Sequence, residues 1–484
     1  MRRKLIGAVL AAAMLGTMLA GCGNDSKPAA TSAGTEAQAE KETKTPETKA
    51  AETEAAEKES PEETEAVSAE LAMDGGVTVT ENPDSATGYT VSFSYKNQYA
   101  TNVQLKGSFE FYRKNDEHVY GIGYNLEDGD NYTNYHVMPE DWNKDDDLCH
   151  VRDDGYVVDM VKDNSTGTWT YSLDLTGGYY LYQFNVSTDG GETYVSVSDP
   201  YNVPECNVFG AEQTRSQFYV PYNAEKQSPN DDWTWTLPAE NEEDRGTLQR
   251  IVYTGVDEND QIAQVWLPAH YDANRAEPYN VLYLSHGLGG DEADWFYQGH
   301  AGNVVDRLAA EGGCDEFIMV AMDNTVFDWD FGVIIDNVKN HLIPYMEENF
   351  NVSTEAKGRA FCGLSMGAMT TNWMLYDDPD YYGYYGLFSG SRVFEWPELA
   401  DYSEYMVPTL YLAAGFEDHA LINKSLSFAY QGPEDKTAQG LADKLDELNI
   451  TYNDGNGIVV VQGAHDWYTW PQIIRDFAST TLWK

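Results

Sequence analysis

At 484 residues the chain has room for two or three domains, each with its own core. Hydrophobic residues make up an ordinary 42%, but 80 acidic side chains against 30 basic ones give a formal net charge of −50. That charge excludes attraction to nucleic acid or to an anionic membrane surface and suits a neutral substrate.

The chain opens on Met1-Arg2-Arg3-Lys4, followed by an apolar run over 5–20 that is too short to span a bilayer with ordinary flanks. The run ends in Leu19-Ala20-Gly21-Cys22. This resembles the lipobox of bacterial lipoproteins, which implies that 1–22 is a lipoprotein signal whose cleavage leaves a lipidated Cys22. A plain signal peptide or an uncleaved anchor is the alternative. No later segment is apolar enough to span, so the rest is expected outside the cytoplasm, attached to the membrane only by this N-terminal anchor. Residues 23–73 are Ala, Glu, Thr, Lys and Ser with almost no large apolar side chain, the composition of a disordered, self-repelling spacer.

Across 74–208 short runs alternate at period two between turn residues: Gly88-Tyr-Thr-Val-Ser-Phe-Ser-Tyr, Asn102-Val-Gln-Leu-Lys-Gly-Ser-Phe, Thr168-Trp-Thr-Tyr-Ser-Leu-Asp-Leu and Gly178-Tyr-Tyr-Leu-Tyr-Gln-Phe-Asn-Val. The pattern predicts a β-sandwich. With Tyr179, Tyr182 and the closing Asp199-Pro200-Tyr201-Asn202, it resembles the immunoglobulin-like early-set module related to carbohydrate-binding domains of the glycogen-branching type. The resemblance leaves two roles open, glycan binding and a structural spacer. A connecting segment over 209–245 follows.

From 246 to 484 strands alternate with helices. Apolar runs at 262–267, 281–285, 317–322, 359–363, 409–414 and 458–461 predict strands buried on both faces. Helical patterns fall at 301–310, 331–349, 366–376, 437–448 and 470–482. This order predicts a doubly wound, mostly parallel sheet of the α/β-hydrolase kind.

Gly363-Leu364-Ser365-Met366-Gly367 stands between a predicted strand and a predicted helix. A tight strand-to-helix turn needs glycine on both sides of the serine and lifts its Oγ clear of the sheet, which makes Ser365 the candidate nucleophile. Serine needs an imidazole to take its proton, and the fold's order is serine, acid, histidine, each at the C-terminal end of a strand. Of the two histidines after Ser365, His465 follows the last strand and is the candidate base; His419 sits where the acid is expected. Gly415-Phe416-Glu417-Asp418 supplies Asp418 as the acid, with Glu417 its rival. For the oxyanion, the backbone N–H of Met366 is one candidate donor. The other comes from His286-Gly287-Leu288-Gly289-Gly290, at Leu288 with Gly287 as the alternative.

With these residues in place, Tyr283-Leu284-Ser285-His286-Gly287-Leu288-Gly289-Gly290-Asp291-Glu292-Ala293-Asp294-Trp295, Gly415-x-x-Asp418 and Gly463-Ala464-His465-Asp466-Trp467 resemble the feruloyl and acetyl-xylan esterase-like enzymes of the esterase D superfamily, over 249–483. The resemblance implies a serine esterase acting through an acyl-enzyme on feruloyl or acetyl esters of xylan, without cofactor or metal. Asp294, Trp295 and Trp467 are candidate pocket-lining residues, each equally suited to packing. The same fold serves siderophore and other small-ester hydrolases, and a lipoprotein that binds glycan without turnover is the reading from a different class. Of the later cysteines, Cys362 reads as a buried apolar side chain; no disulfide pairing is legible among Cys149, Cys206, Cys314 and Cys362.

Overall fold

The computed structural model describes residues 75–113, 136–146, 148–150, 156–203, 215–390, 408–416, 418–422, 430–431, 434–435 and 437–484. Cys22, the expected spacer, Cys206 and Glu417 lie outside the described residues.

The N-terminal unit has two main antiparallel sheets and a small three-stranded one made by Phe111–Arg113, His136–Val137 and Leu148–His150. One main sheet carries β1 (Gly76–Glu81), β2 (Tyr89–Lys96), β5 (Val161–Asp163) and β6 (Thr168–Asp174) in the order β1-β2-β6-β5. The other carries β3 (Asn102–Gly107), β4 (Tyr156–Asp159), β7 (Gly178–Ser187) and β8 (Val195–Val197) in the order β8-β7-β3-β4. Alternation sends Val91 and Phe93 from one sheet, and Val103, Leu105, Tyr180, Tyr182 and Phe184 from the other, into one shared core. A further strand, β9 (Ser216–Val220), pairs antiparallel with β7. It falls inside the expected connecting segment, so the sandwich runs past 208. The closing motif explains its docking: Tyr182 donates its hydroxyl to Asp199 Oδ2 at 2.6 Å, and Asn202 Nδ2 donates to Gln217 O at 2.8 Å.

The C-terminal unit is the expected α/β-hydrolase sheet with eight strands: β10 (Thr247–Thr254), β11 (Asp260–Leu267), β12 (Val281–Ser285), β13 (Ile318–Met322), β14 (Arg359–Leu364), β15 (Tyr384–Phe388), β16 (Thr409–Gly415) and β17 (Val459–Val461). Their spatial order is β10-β11-β13-β12-β14-β15-β16-β17, antiparallel at β10–β11 and β11–β13 and parallel from there on. Every residue of β12 and β13 is buried. Val281 and Tyr283 enter the core on one face, Leu282 and Leu284 the core on the other. The first of these cores takes α2 (Phe331–Asn337), α3 (Ile343–Asn349) and α5 (Ala438–Glu447); the second takes α1 (Ala301–Ala310) and α6 (Trp470–Thr480). The one helix expected over 331–349 contains a π-turn, Val338–Leu342, just before Pro344. Proline has no N–H to donate and its ring crowds the carbonyl four residues back, so the helix widens there.

Order decides where a ligand site forms. The chain leaves β12 for β13 on one side and returns to β14 on the other, so the loops after β12 and β14 part at the C-terminal rim. The sandwich packs against this unit through the last loop before α6. The ring of His150 stacks on Tyr468 at 4.8 Å, Tyr468 donates its hydroxyl to Tyr179 O, and Tyr179 stacks on His300 at 3.7 Å.

Phe477 is fully buried on α6, with its ring 5.6 Å from Phe388 and 4.7 Å from Tyr411. Phe477→Ala removes a helix-to-sheet anchor and is expected to cost about 3–5 kcal/mol, read from the denaturant midpoint of unfolding. A midpoint equal to wild type would show that α6 does not hold the sheet in this way.

Candidate active site

Ser365 closes β14 and opens α4 (Met366–Asp377), with φ 52° and ψ −117°. That backbone conformation is sparsely populated for a residue with a Cβ and costs of order 1–3 kcal/mol. The residues two before and two after it are glycine because nothing larger fits. A Cβ on Gly363 would stand 2.3 Å from the Gly367 carbonyl, and one on Gly367 would stand 2.3 Å from Ser285 O and 2.5 Å from His286 O. The Ser365 N–H donates to Phe388 O at 3.1 Å, which pins the turn to β15. Met366 is the first residue of α4, where the backbone N–H has no acceptor within the helix.

The loop after β12 lies against this turn. A Cβ on Gly287 would be 3.2 Å from Ser365 Cβ, so Gly287 passes directly beside the nucleophile, while the Leu288 side chain is exposed. The loop is held from below by His286, which is fully buried. Its Nδ1 lies 2.7 Å from Gly287 O, a carbonyl that only accepts, so Nδ1 carries the proton. Nε2 then accepts the Asn324 N–H at 3.0 Å. His286 thus fixes which way the Gly287 peptide points. Sequence reasoning gave it no role; the signal was a histidine placed between a buried strand and a run of glycines.

Asp418 is fully buried in the loop after β16, and its Oδ1 lies 2.9 Å from His465 Nδ1. Oδ1 also accepts the Ala420 N–H at 2.7 Å. A carboxylate accepts, so Nδ1 carries the proton and Nε2 keeps its lone pair. The two loops touch through backbone: a Cβ on Gly415 would be 2.4 Å from Gly463 O. The imidazole of His465 meets the Trp470 ring edge-on at 5.4 Å, and Trp470 donates its indole N–H to Ser389 Oγ at 2.9 Å, one residue past β15. The base loop is therefore tied to the strand end that also holds Ser365. Asp466 accepts the Tyr468 N–H at 2.9 Å and shapes the turn that follows the base.

The proposed pocket lining fares differently. Trp295 is fully buried and meets Phe388 and Trp467 edge-on at 6.1 and 5.4 Å, so it presents no face to a ligand. Asp294 is buried and accepts the Asp291 N–H at 3.2 Å and the Gln298 amide, which folds the loop back on itself. Trp467 is buried between Trp295 and Trp470. All three side chains pack within the fold, and Trp467 also borders a small recess with Gln298 and His300.

Residues 258–476 match the Esterase family model, whose description is "Putative esterase". The chain is 26% identical over 341 residues to an endo-1,4-beta-xylanase/feruloyl esterase of Xylanibacter ruminicola, covering 66% of this chain and 41% of that protein. It therefore spans about two fifths of that relative's length. Among solved structures, it is similar to a ferulic acid esterase from the anaerobic fungus Anaeromyces mucronatus, at 22% identity and a TM-score of 0.41, over 52% of this chain and 95% of that one. It is also similar to an enterobactin esterase from Shigella flexneri, at 13% identity and a TM-score of 0.48, over 85% and 97%.

Two carboxyls just beyond the glycine loop carry a pH signature. Burial, with Asp294 nearby, pushes Asp291 up to about 6, and burial pushes Glu292 up to about 7. Both groups therefore bind protons more tightly folded than unfolded, so stability is full below about pH 4 and is lost as pH rises through 6 and 7. The melting temperature is expected to fall between pH 5 and pH 8, and Asp291→Asn to flatten that fall. An unchanged slope in the variant would remove Asp291 from the explanation.

Proposed function

We propose, from the match of residues 258–476 to the esterase family model, that this chain is a serine carboxylic-ester hydrolase with Ser365 as nucleophile, His465 as base and Asp418 as its orienting acid. One observation carries the reading: a serine held in a strained strand-to-helix turn shares a sheet rim with a histidine whose Nδ1 is 2.9 Å from a buried aspartate. His465 Nε2, the unprotonated ring nitrogen in this tautomer, takes the proton as Ser365 Oγ attacks the ester carbonyl. Asp418 steadies the imidazolium. The N–H groups of Met366 and of the Gly287–Leu288 stretch receive the oxyanion. Collapse expels the alcohol, which takes its proton from His465, and leaves Ser365 acylated; water, activated by the same imidazole, then releases the acid.

For the substrate we take feruloyl or acetyl esters on xylan. The motif resemblance and the feruloyl esterase named in the Xylanibacter relative favour it, as does an acidic chain suited to a neutral polymer. For location we take the outside of the cell, anchored through lipidated Cys22, on the strength of Leu19-Ala20-Gly21-Cys22 after an apolar run. Cys22→Ser is expected to move the protein from the membrane fraction to the soluble one; unchanged fractionation would overturn the anchor.

Hydrolysis of methyl ferulate and p-nitrophenyl acetate tests the chemistry. Ser365→Ala is expected to lose roughly 10⁵–10⁶ of kcat, and Asp418→Asn roughly 10⁴, with the fold intact by circular dichroism. Wild-type rates in Ser365→Ala would falsify the nucleophile.

A further inference from the structure

Beside the loop that carries His465, where the sandwich meets the hydrolase unit, a recess of about 180 Å³ opens to solvent. An ordered water needs about 10–15 Å³ of such space, so the recess has room for roughly a dozen or more waters, the scale of an organic ligand. Asn230, Asp232 and Trp235 line it from the segment between the two units, and Gln462, Tyr468 and Gln472 from the base loop and α6. Gln462 stands three residues before His465, so whatever sits here lies alongside the proposed base.

The lining is polar and its acceptors are held in place. Gln472 donates from Nε2 to Gln462 O at 2.7 Å and to Tyr468 O at 2.6 Å. Both amide hydrogens are used, which fixes the amide's orientation and leaves Oε1 without a partner among the described residues. Gln462 donates from Nε2 to Asn230 Oδ1 at 3.3 Å and keeps its Oε1 in the same condition. Asp232 Oδ1 accepts the N–H and hydroxyl of Thr234 at 3.0 and 2.6 Å, and Oδ2 remains. Trp235 is fixed as well: its indole N–H donates to Asp232 O at 3.0 Å, and its ring lies 5.2 Å from that of Trp233 and 5.0 Å from the Arg475 guanidinium. Fixed acceptors beside a fixed aromatic ring suit a ligand that brings several O–H donors and an apolar C–H surface without negative charge. A neutral sugar ring has that chemistry. An anion would face three acceptors, and a cation would find one carboxylate and no use for the aromatic floor.

We propose that this recess is a subsite for a neutral glycan unit, one that holds the polysaccharide chain beside the ester being cleaved. The link to catalysis, and the choice of xylan as the glycan, rest on the esterase reading above. The sandwich and its following segment would then contribute to substrate recognition by completing a groove at the seam.

The test uses the full chain with Ser365→Ala, titrated calorimetrically with unsubstituted xylotetraose and xylohexaose. Binding is expected, and Gln472→Ala should weaken it about five- to tenfold, the worth of a lost hydrogen bond to a held acceptor. Because Gln472 also braces the loop, Gln462→Ala and the near-isosteric Asp232→Asn provide independent variants, with thermal melts to show that each is folded. In the active chain the same variants should raise KM for feruloylated xylan oligosaccharides several-fold more than KM for methyl ferulate. Absence of heat with either sugar, equal affinity in all three variants, or heat with calcium but none with sugar would each overturn the subsite. The two readings fail separately. Sugar binding that the variants weaken, alongside a wild type that hydrolyses no ester, sinks the esterase and spares the recess; full ester hydrolysis without sugar binding does the reverse.

Discussion

The strained backbone at Ser365 is the constraint from which the rest of the site follows. A positive φ at a residue with a Cβ persists only where the surroundings over-determine it, and here three stretches of main chain do so. Gly363 and Gly367 let the turn close on itself, and Gly367 lies against the carbonyls of Ser285 and His286. The loop after β12 therefore cannot move independently of the turn after β14. Hydrogen-bonded strands buried on both faces make that contact affordable: β12 and β14 are parallel neighbours, and their burial outweighs a local cost of a few kcal/mol. The proposed oxyanion site between these two loops is in this sense a by-product of how the Ser365 turn is packed.

The base is fixed by a different and more distributed set of contacts. Its loop touches the acid loop through the Gly415–Gly463 approach, touches the end of β15 through Trp470 and Ser389, and touches the sandwich through Tyr468. Only the first of these is a backbone contact, and the other two are aromatic and side-chain contacts, so the histidine side of the site depends on elements far away in sequence. The β-sandwich is one of them. Whatever it binds, it is already part of the frame that sets the direction of the last loop.

That difference explains what was legible in the sequence. The buried central strands announced themselves as unbroken apolar runs at 281–285 and 359–363, and the glycines around Ser365 carried their reason with them. The edge strand β10 went unread because most of its residues are exposed and its pattern is that of a polar connector. Tyr384-Tyr385-Gly386-Leu387-Phe388 was missed because aromatic residues around a glycine look like a turn; Gly386 is there because a Cβ would meet the Cys362 side chain at 2.7 Å. β9 hid in the segment after the sandwich, since pairing with a distant strand leaves no local trace. Asp294 and Trp295 misled for a related reason. Acidic and aromatic residues beside a catalytic motif suggest ligand contact, and only coordinates show them folded inward to support one another. The orientation of His286, and with it the direction of the Gly287 carbonyl, depends on Asn324, 38 residues away.

Charge links this frame to the proposed reaction. An ester is neutral and the acid it yields is an anion, so a chain with 50 excess negative charges treats reactant and product differently. Screening confines that difference to groups within about 8 Å at physiological ionic strength, which makes the carboxyls nearest the glycine loop the relevant ones. Asp291 and Glu292 are buried there and held toward the neutral form at mildly acidic pH, so they do not oppose the transient oxyanion as ionised carboxylates would. The remaining acidic surface is ionised and repels a departing carboxylate. Below about pH 6 these two carboxyls therefore add little negative charge beside the glycine loop, and the carboxylate at the proposed base is Asp418, which accepts the His465 N–H.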